Sequence, residues 1–167
     1  MGPYPARKLR GLLRITTDLP DREHPHRLSD EDYSVPQAVV FVSWRARKGI
    51  TLMGQPAQLL IATMRRMAHK KRLQLQAYCV MPDHVHVVVS LDEGGDVRGW
   101  VRYVKRETAR VCGTPGMWQR SYWDRHARKS EDVWDMVAYI LNNPVRRGLV
   151  SEWQEWPYSW SAQHEDA

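Results

Sequence analysis

The sequence predicts a single domain of mixed helix and strand built around an antiparallel hairpin, and three observations predict it. Two apolar runs, Leu73 to Met81 and Val85 to Val89, meet at the turn pair Pro82-Asp83. A third β-branched run, Ala38 to Arg45, lies upstream. Between and after these runs, apolar residues recur at helical spacing near 55–71, 96–111 and 131–142. With 167 residues the chain is long enough for one domain with its own core.

Residues 1–36 carry several prolines, a basic cluster (Arg7, Lys8, Arg10, Arg14) and a mixed-charge run, and read as an N-terminal arm. Such an arm either contacts DNA phosphate or is a plain tail. The strand at 38–45 stops at Lys48-Gly49. Gln55-Pro56 then opens a helix whose stripe is Leu60, Met64 and Met67, a core pattern. After the hairpin, Gly94-Gly95 breaks the chain before a helix with Val97, Trp100/Val101, Val104, Thr108 and Val111 on one face. On that helix Arg98, Arg102, Arg106 and Arg110 recur every fourth residue, with Lys105 beside them. This ridge suits either a solvated face or a phosphate backbone. Met117 to Arg128 reads as an extended segment in which Arg120, Tyr122, Asp124 and His126 share a face. Ser130 is an expected N-cap for the last helix, with Glu131 and Asp132 in its first turn. Trp153, Trp156 and Trp160 are expected to pack back over the domain, leaving 161–167 as a tail.

Alternation places His84, His86, Val88 and Ser90 on one face of the second hairpin strand and Val85, Val87 and Val89 on the other. Two imidazoles about 7 Å apart form half of a metal site. The competing reading is two histidines on a solvated face. On the last helix, Val133, Trp134, Val137, Ile140 and Leu141 form the apolar stripe, and Tyr139 lies off it. Asn143, one turn on and ahead of Pro144, offers an oxygen at the helix end. A tyrosine with its hydroxyl in water and a helix-capping asparagine would give the same pattern.

Formal charge is +6, which favours an anionic partner, nucleic acid first. Two cysteines, Cys79 and Cys112, make neither a disulfide framework nor a zinc ribbon and suit a reducing, cytoplasmic setting. No signal peptide or membrane helix is expected. Eight Trp and seven Tyr against one Phe suit base stacking as well as core packing.

Three motifs in order carry a resemblance: Met81-Pro82-Asp83-His84-Val85-His86; Trp118 to His126, with the sequence WQRSYWDRH; and Tyr139-Ile140-Leu141-Asn142-Asn143-Pro144-Val145-Arg146-Arg147-Gly148. Across about residues 36–160 the chain resembles the HUH single-tyrosine transposases, and within them the REP-associated tyrosine transposase branch. The resemblance implies an α+β, ferredoxin-like domain with a central antiparallel sheet over 37–160. It implies His84 and His86 as metal ligands, Asn143 as the third ligand and Tyr139 as nucleophile. Mobile relatives commonly use glutamine at the Asn143 position, and asparagine is a shorter reach. His126 stands in a segment recurrent in the branch, with phosphate contact, proton transfer and structural hydrogen bonding all open as its role. The implied substrate is single-stranded hairpin DNA, the implied chemistry a 5′-phosphotyrosine intermediate, and the implied state a monomer.

These residue types suit that chemistry. Phenols are weak nucleophiles at neutral pH until something takes their proton. A nitrogen and oxygen site completed by water suits Mg²⁺ or Mn²⁺. Arg98, Arg102, Lys105, Arg106, Arg110 and Arg120 are the expected DNA-phosphate contacts. The rival readings are a catalytically silent nucleic-acid-binding module on the same fold, a nuclease that activates water at the histidine pair, and histidines and Tyr139 that merely face solvent.

Overall fold

The computed structural model describes residues 28–29, 37–127 and 133–164. Its elements are β1 (Val39–Arg45), α1 (Gln55–Lys70), β2 (Leu73–Val80), β3 (His84–Leu91), α2 (Val97–Val111), β4 (Trp123–His126), α3 (Val133–Leu141), α4 (Asn143–Arg146) and β5 (Ser159–Ser161). The first six run βαββαβ, and the sheet order β4-β1-β3-β2-β5 contains the interleaved 4-1-3-2 arrangement of a ferredoxin-like domain. Every strand pair is antiparallel. The expected α+β architecture is therefore the observed one. The expected Ser130 cap, the arm apart from residues 28–29, and residues 165–167 lie outside the described residues.

Pleat parity divides the sheet into two faces with different covers. Val40, Val42 and Trp44 of β1, with Val85, Val87 and Val89 of β3, pack beneath α1 and α2 through Leu60, Met64, Trp100 and Val104. Phe41, Ala77, Cys79 and Val88 face the other way, under Met136, Val137, Ile140 and Leu141 of α3. Each helix is held by its apolar stripe and by local chemistry at its ends. Pro56 starts α1, and the Asp96 carboxylate caps α2 by accepting from Gly99 N at 2.7 Å.

Three local expectations are corrected. Val111, the last residue of α2, is exposed rather than part of the buried stripe. On α3, Met136 is buried and Trp134 is 46% exposed. Of the extended segment expected at 117–128, only Trp123–His126 is strand among the described residues 117–127, with an isolated bridge from Trp118 to Ala46. The C-terminal tryptophans do pack back, and they bring a strand with them: Trp160 stacks on Tyr78 at 5.6 Å, and Ser159–Ser161 pairs with β2.

Candidate active site

β3 is hydrogen-bonded on both sides, to β1 and to β2, so the histidine pair stands on the central strand of the sheet. Its face is not solvated: His84 is 3% exposed and His86 5%. The solvated-face reading fails because α3 and the Phe41 ring, 5.5 Å from His86, cover that side. The rings lean together edge to face, with centroids 4.6 Å apart rather than the 7 Å of the backbone repeat.

The two imidazoles are prepared differently. His84 Nδ1 lies 2.6 Å from Asp83 Oδ1. An ionised carboxylate can only accept, so Nδ1 carries the proton and a neutral ring leaves its lone pair on Nε2. Asp83 stays ionised: the hydrogen bond from His84, then the charges of His84, Arg45 and Arg147, lower its pKa to about 2 against the opposing effect of burial. His86 is held well below the usual histidine range, first by burial and then by His84, Arg45 and Arg147. Its Nδ1 is buried with no hydrogen-bond partner among the described residues. An unmade bond of this kind costs about 1–3 kcal/mol.

A pH dependence follows. Below pH 6.5 the unfolded chain protonates at this position while the folded ring stays neutral, so the unfolded state binds more protons. Without divalent ions, thermal stability is expected to fall as pH drops from 6.5, and the His86→Asn variant to show a flatter profile over that range. The Asp83 contribution is separate, full above 3.8 and lost as pH falls through about 2. Melting curves in chelator between pH 7.5 and 4.5 check the His86 effect; identical slopes for both proteins would refute it.

α3 packs over this face, with Tyr139 half-buried against the Phe41, Cys79 and Met81 cluster. Asn143 Nδ2 donates to Tyr139 O at 3.1 Å and to Ile140 O at 3.2 Å. That fixes the amide and leaves Oδ1 with no protein donor among the described residues. The donor set therefore fits a hard divalent ion: imidazole nitrogen from two histidines and one amide oxygen. Cys79 pairs with His86 across the ladder, a proximity that sequence spacing did not reveal. Burial raises its pKa to about 12, so it offers no thiolate. Among the described residues, no three His, Cys, Asp or Glu side chains group as a metal site.

The remaining candidates fall elsewhere. β4 register pairs Asp124 with Val42 and His126 with Val40, so His126 lies on the face opposite the histidine pair. It is also five residues along β1 from Arg45, the partner of His84, or about 17 Å. Trp123 and Arg125 are on the histidine face instead: Trp123 packs edge-on to Phe41 at 5.4 Å, and Arg125 lies over that ring. Sequence alternation could not find them, because it fixes parity within a strand but not which layer covers each side.

The arginine ridge is divided. Arg110 pairs with Glu107, Arg106 lies over Tyr103, and Arg98 donates to Leu28 O. Lys105 Nζ is held by the carbonyls of Gln119, Arg120 and Ser121. Arg98, Arg102, Lys105 and Arg120 nevertheless line one cavity of about 340 Å³, floored by Val101 and Tyr122. No described helix is long and apolar enough to cross a membrane.

A ferredoxin-like sheet bearing a buried histidine pair, with a tyrosine helix on the same face, defines a class, and sequence comparison identifies it. Residues 34–143 match the family model described as "Transposase IS200 like", and the chain belongs to that family, whose members cut and rejoin DNA. Within it the chain sides with the REP-associated tyrosine transposases. It is 29% identical over 119 residues to the Escherichia coli (strain K12) protein of that name, covering 66% of this chain and 72% of the relative. A Haemophilus influenzae protein provisionally given the same name is 32% identical over 100 residues, covering 50% of this chain and 56% of the relative. The solved structure of a REP-associated tyrosine transposase bound to a REP hairpin matches with TM-score 0.71 and 25% identity, over 81% of each chain.

Proposed function

We propose that the chain is a monomeric, cytoplasmic, metal-dependent transferase that cuts and rejoins single-stranded DNA beside a REP-type hairpin through a 5′-phosphotyrosine intermediate. One observation carries this reading: the histidine pair on β3 stands on the sheet face that α3 covers with Tyr139, and Asn143 follows one turn on at the start of α4. The solved relative bound to a REP hairpin supports the choice of DNA.

His84 and His86 would hold a divalent ion, Mg²⁺ or Mn²⁺, with Asn143 Oδ1 as third ligand. Such an ion, when bound, supplies positive charge to a phosphate oxygen of the DNA. Asp83 holds the His84 ring in one tautomer, and the buried neutral His86 gives up no proton-bound state when it binds metal. The packing of α3 on the sheet fixes the Tyr139 backbone, so that the phenol would be positioned before DNA arrives. Its Oη attacks the phosphorus and loses the phenolic proton, the P–O3′ bond breaks, and the departing 3′ oxygen takes up a proton. The new ester conserves the energy of the old one, so a 3′-hydroxyl can reverse the step without ATP. On the opposite face, the cavity cations Arg98, Arg102, Lys105 and Arg120 would contact DNA phosphate, leaving Arg106 and Arg110 as outer contacts.

The test is a denaturing gel of protein with end-labelled genomic hairpin DNA and Mn²⁺. The wild type is expected to give a slow, protease-sensitive band that Tyr139→Phe lacks, with hairpin affinity retained. Cleavage without that band would favour a water-activating nuclease, and tight binding without cleavage would favour a binding module.

A further inference from the structure

The family match ends at residue 143, but the helical path does not. Asn142 has near-helical backbone angles (φ −80°, ψ 0°), and hydrogen bonds run through the junction: Asn142 N to Ala138 O at 3.1 Å, Arg146 N to Asn142 O at 2.9 Å, Arg147 N to Asn143 O at 3.0 Å. α3 and α4 therefore act as one helical ramp. At 100° per residue, Tyr139, Asn143, Arg146 and Arg147 fall within an arc of about 100°. The ramp stops directly after the arginines, at Gly148. Its φ of +67° admits a Schellman closure, with Gly148 N bonded to Val145 O and Leu149 N to Pro144 O, both at 2.9 Å. The two guanidinium groups thus leave from the last, well-defined turn.

They take different positions. Arg146 Cζ lies 5.0 Å from the centroid of the Tyr139 ring. Arg147 is near enough for its positive charge to act on Asp83 and His86. Among the described residues, neither guanidinium has a carboxylate partner, in contrast to Arg110. One cation therefore lies on the ring of the tyrosine that would take the phosphoryl group.

We propose that Arg146 is a phosphate-binding residue of the strand-transfer reaction, holding the phosphoryl group as it passes between DNA and Tyr139 Oη. The inference rests on reading Tyr139 as the nucleophile. As the Oη–P bond forms and the P–O3′ bond breaks, the charge of the incoming phenolate joins that of the phosphate. A guanidinium over the ring face keeps N–H donors at its periphery and presents them to the phosphate oxygens in a planar fork. Stacking on the ring orders that fork before DNA arrives. The simpler role for an arginine in a last helical turn is to complement the helix dipole, and that role predicts a different outcome.

The experiment uses the full chain, a panel of single-stranded genomic hairpin oligonucleotides with their flanks, and Mn²⁺. At saturating DNA, Arg146→Ala is expected to slow formation of the covalent band about 100-fold. Its hairpin Kd should stay within about threefold, since the guanidinium acts on the charge that develops in the reaction rather than on the bound hairpin. Arg146→Lys is expected to recover part of the rate, and millimolar guanidinium ion to accelerate Arg146→Ala. A dipole or packing role would move Tm but would not respond to guanidinium. Arg146→Ala working at the wild-type rate, or losing only affinity, overturns the assignment alone. Absence of a covalent band with the wild type overturns the nucleophile reading and this inference together.

Discussion

His86→Ala is expected to lower the rate of covalent DNA attachment about 10³-fold while hairpin affinity stays within about threefold. Charge neutralisation by a bound metal contributes several kcal/mol to a phosphoryl transition state, and about 4 kcal/mol corresponds to three orders of magnitude. Removing one of two imidazoles would dismantle the half-site, because the remaining protein ligands would be one imidazole, His84, and a single amide oxygen one turn beyond the tyrosine. DNA affinity should survive, since the cavity cations lie on the other face of the sheet. The fold should survive too: His86 carries a ring nitrogen with no partner, so its loss relieves one buried polar group. Single-turnover gels across a Mn²⁺ titration, with hairpin binding measured in parallel, check this. Wild-type rates at every metal concentration would remove His86 from the site.

The largest effect on stability is expected at Trp100. Its side chain is fully buried between the sheet and α1, edge-on to Trp44 at 6.0 Å, and its indole N–H donates to Met64 O at 3.2 Å. Truncating a core tryptophan to alanine costs about 3–5 kcal/mol, through the lost apolar transfer and the residual cavity. The abandoned Met64 carbonyl lies inside α1, where the helix's own i+4 hydrogen bond still serves it, so the cavity dominates. Against a total stability of about 5–15 kcal/mol, the loss leaves a marginal fold. With an m-value of about 2 kcal/mol/M, the urea midpoint should fall by roughly 2 M. A shift below about 0.5 M would mean that the Trp44 and Trp118 rings close over the gap.

Much of this was legible in the sequence, for identifiable reasons. β-branched alternation marked β3, and Pro82-Asp83 marked its turn, because both signals are local. The spacing of Tyr139 and Asn143 on one helix is also local. What was not legible depended on contacts between elements. Trp134 and Met136 lie about 80° to either side of the centre of the α3 stripe, so periodicity cannot choose between them, and packing buries methionine. The short run Ser159–Ser161 becomes a strand only because β2 offers it an open edge. The tilt of the two imidazoles toward each other reflects the cover that α3 and Phe41 place over them, which strand spacing does not encode. Arg146 could have been found, since it lies two turns from Tyr139; continuing the wheel through Pro144 would have revealed it.

The position of β3 has a consequence for how such an enzyme can change. Its amide protons are shielded on both flanks, so they should exchange with solvent only when the domain opens as a whole. The histidines therefore share the fate of the entire fold and cannot be shifted without endangering it. The border strands β4 and β5, four and three residues long, carry no such burden. Divergence toward new target DNA has room at those borders and on the outer helices, while the centre is held by the cost of refolding everything around it.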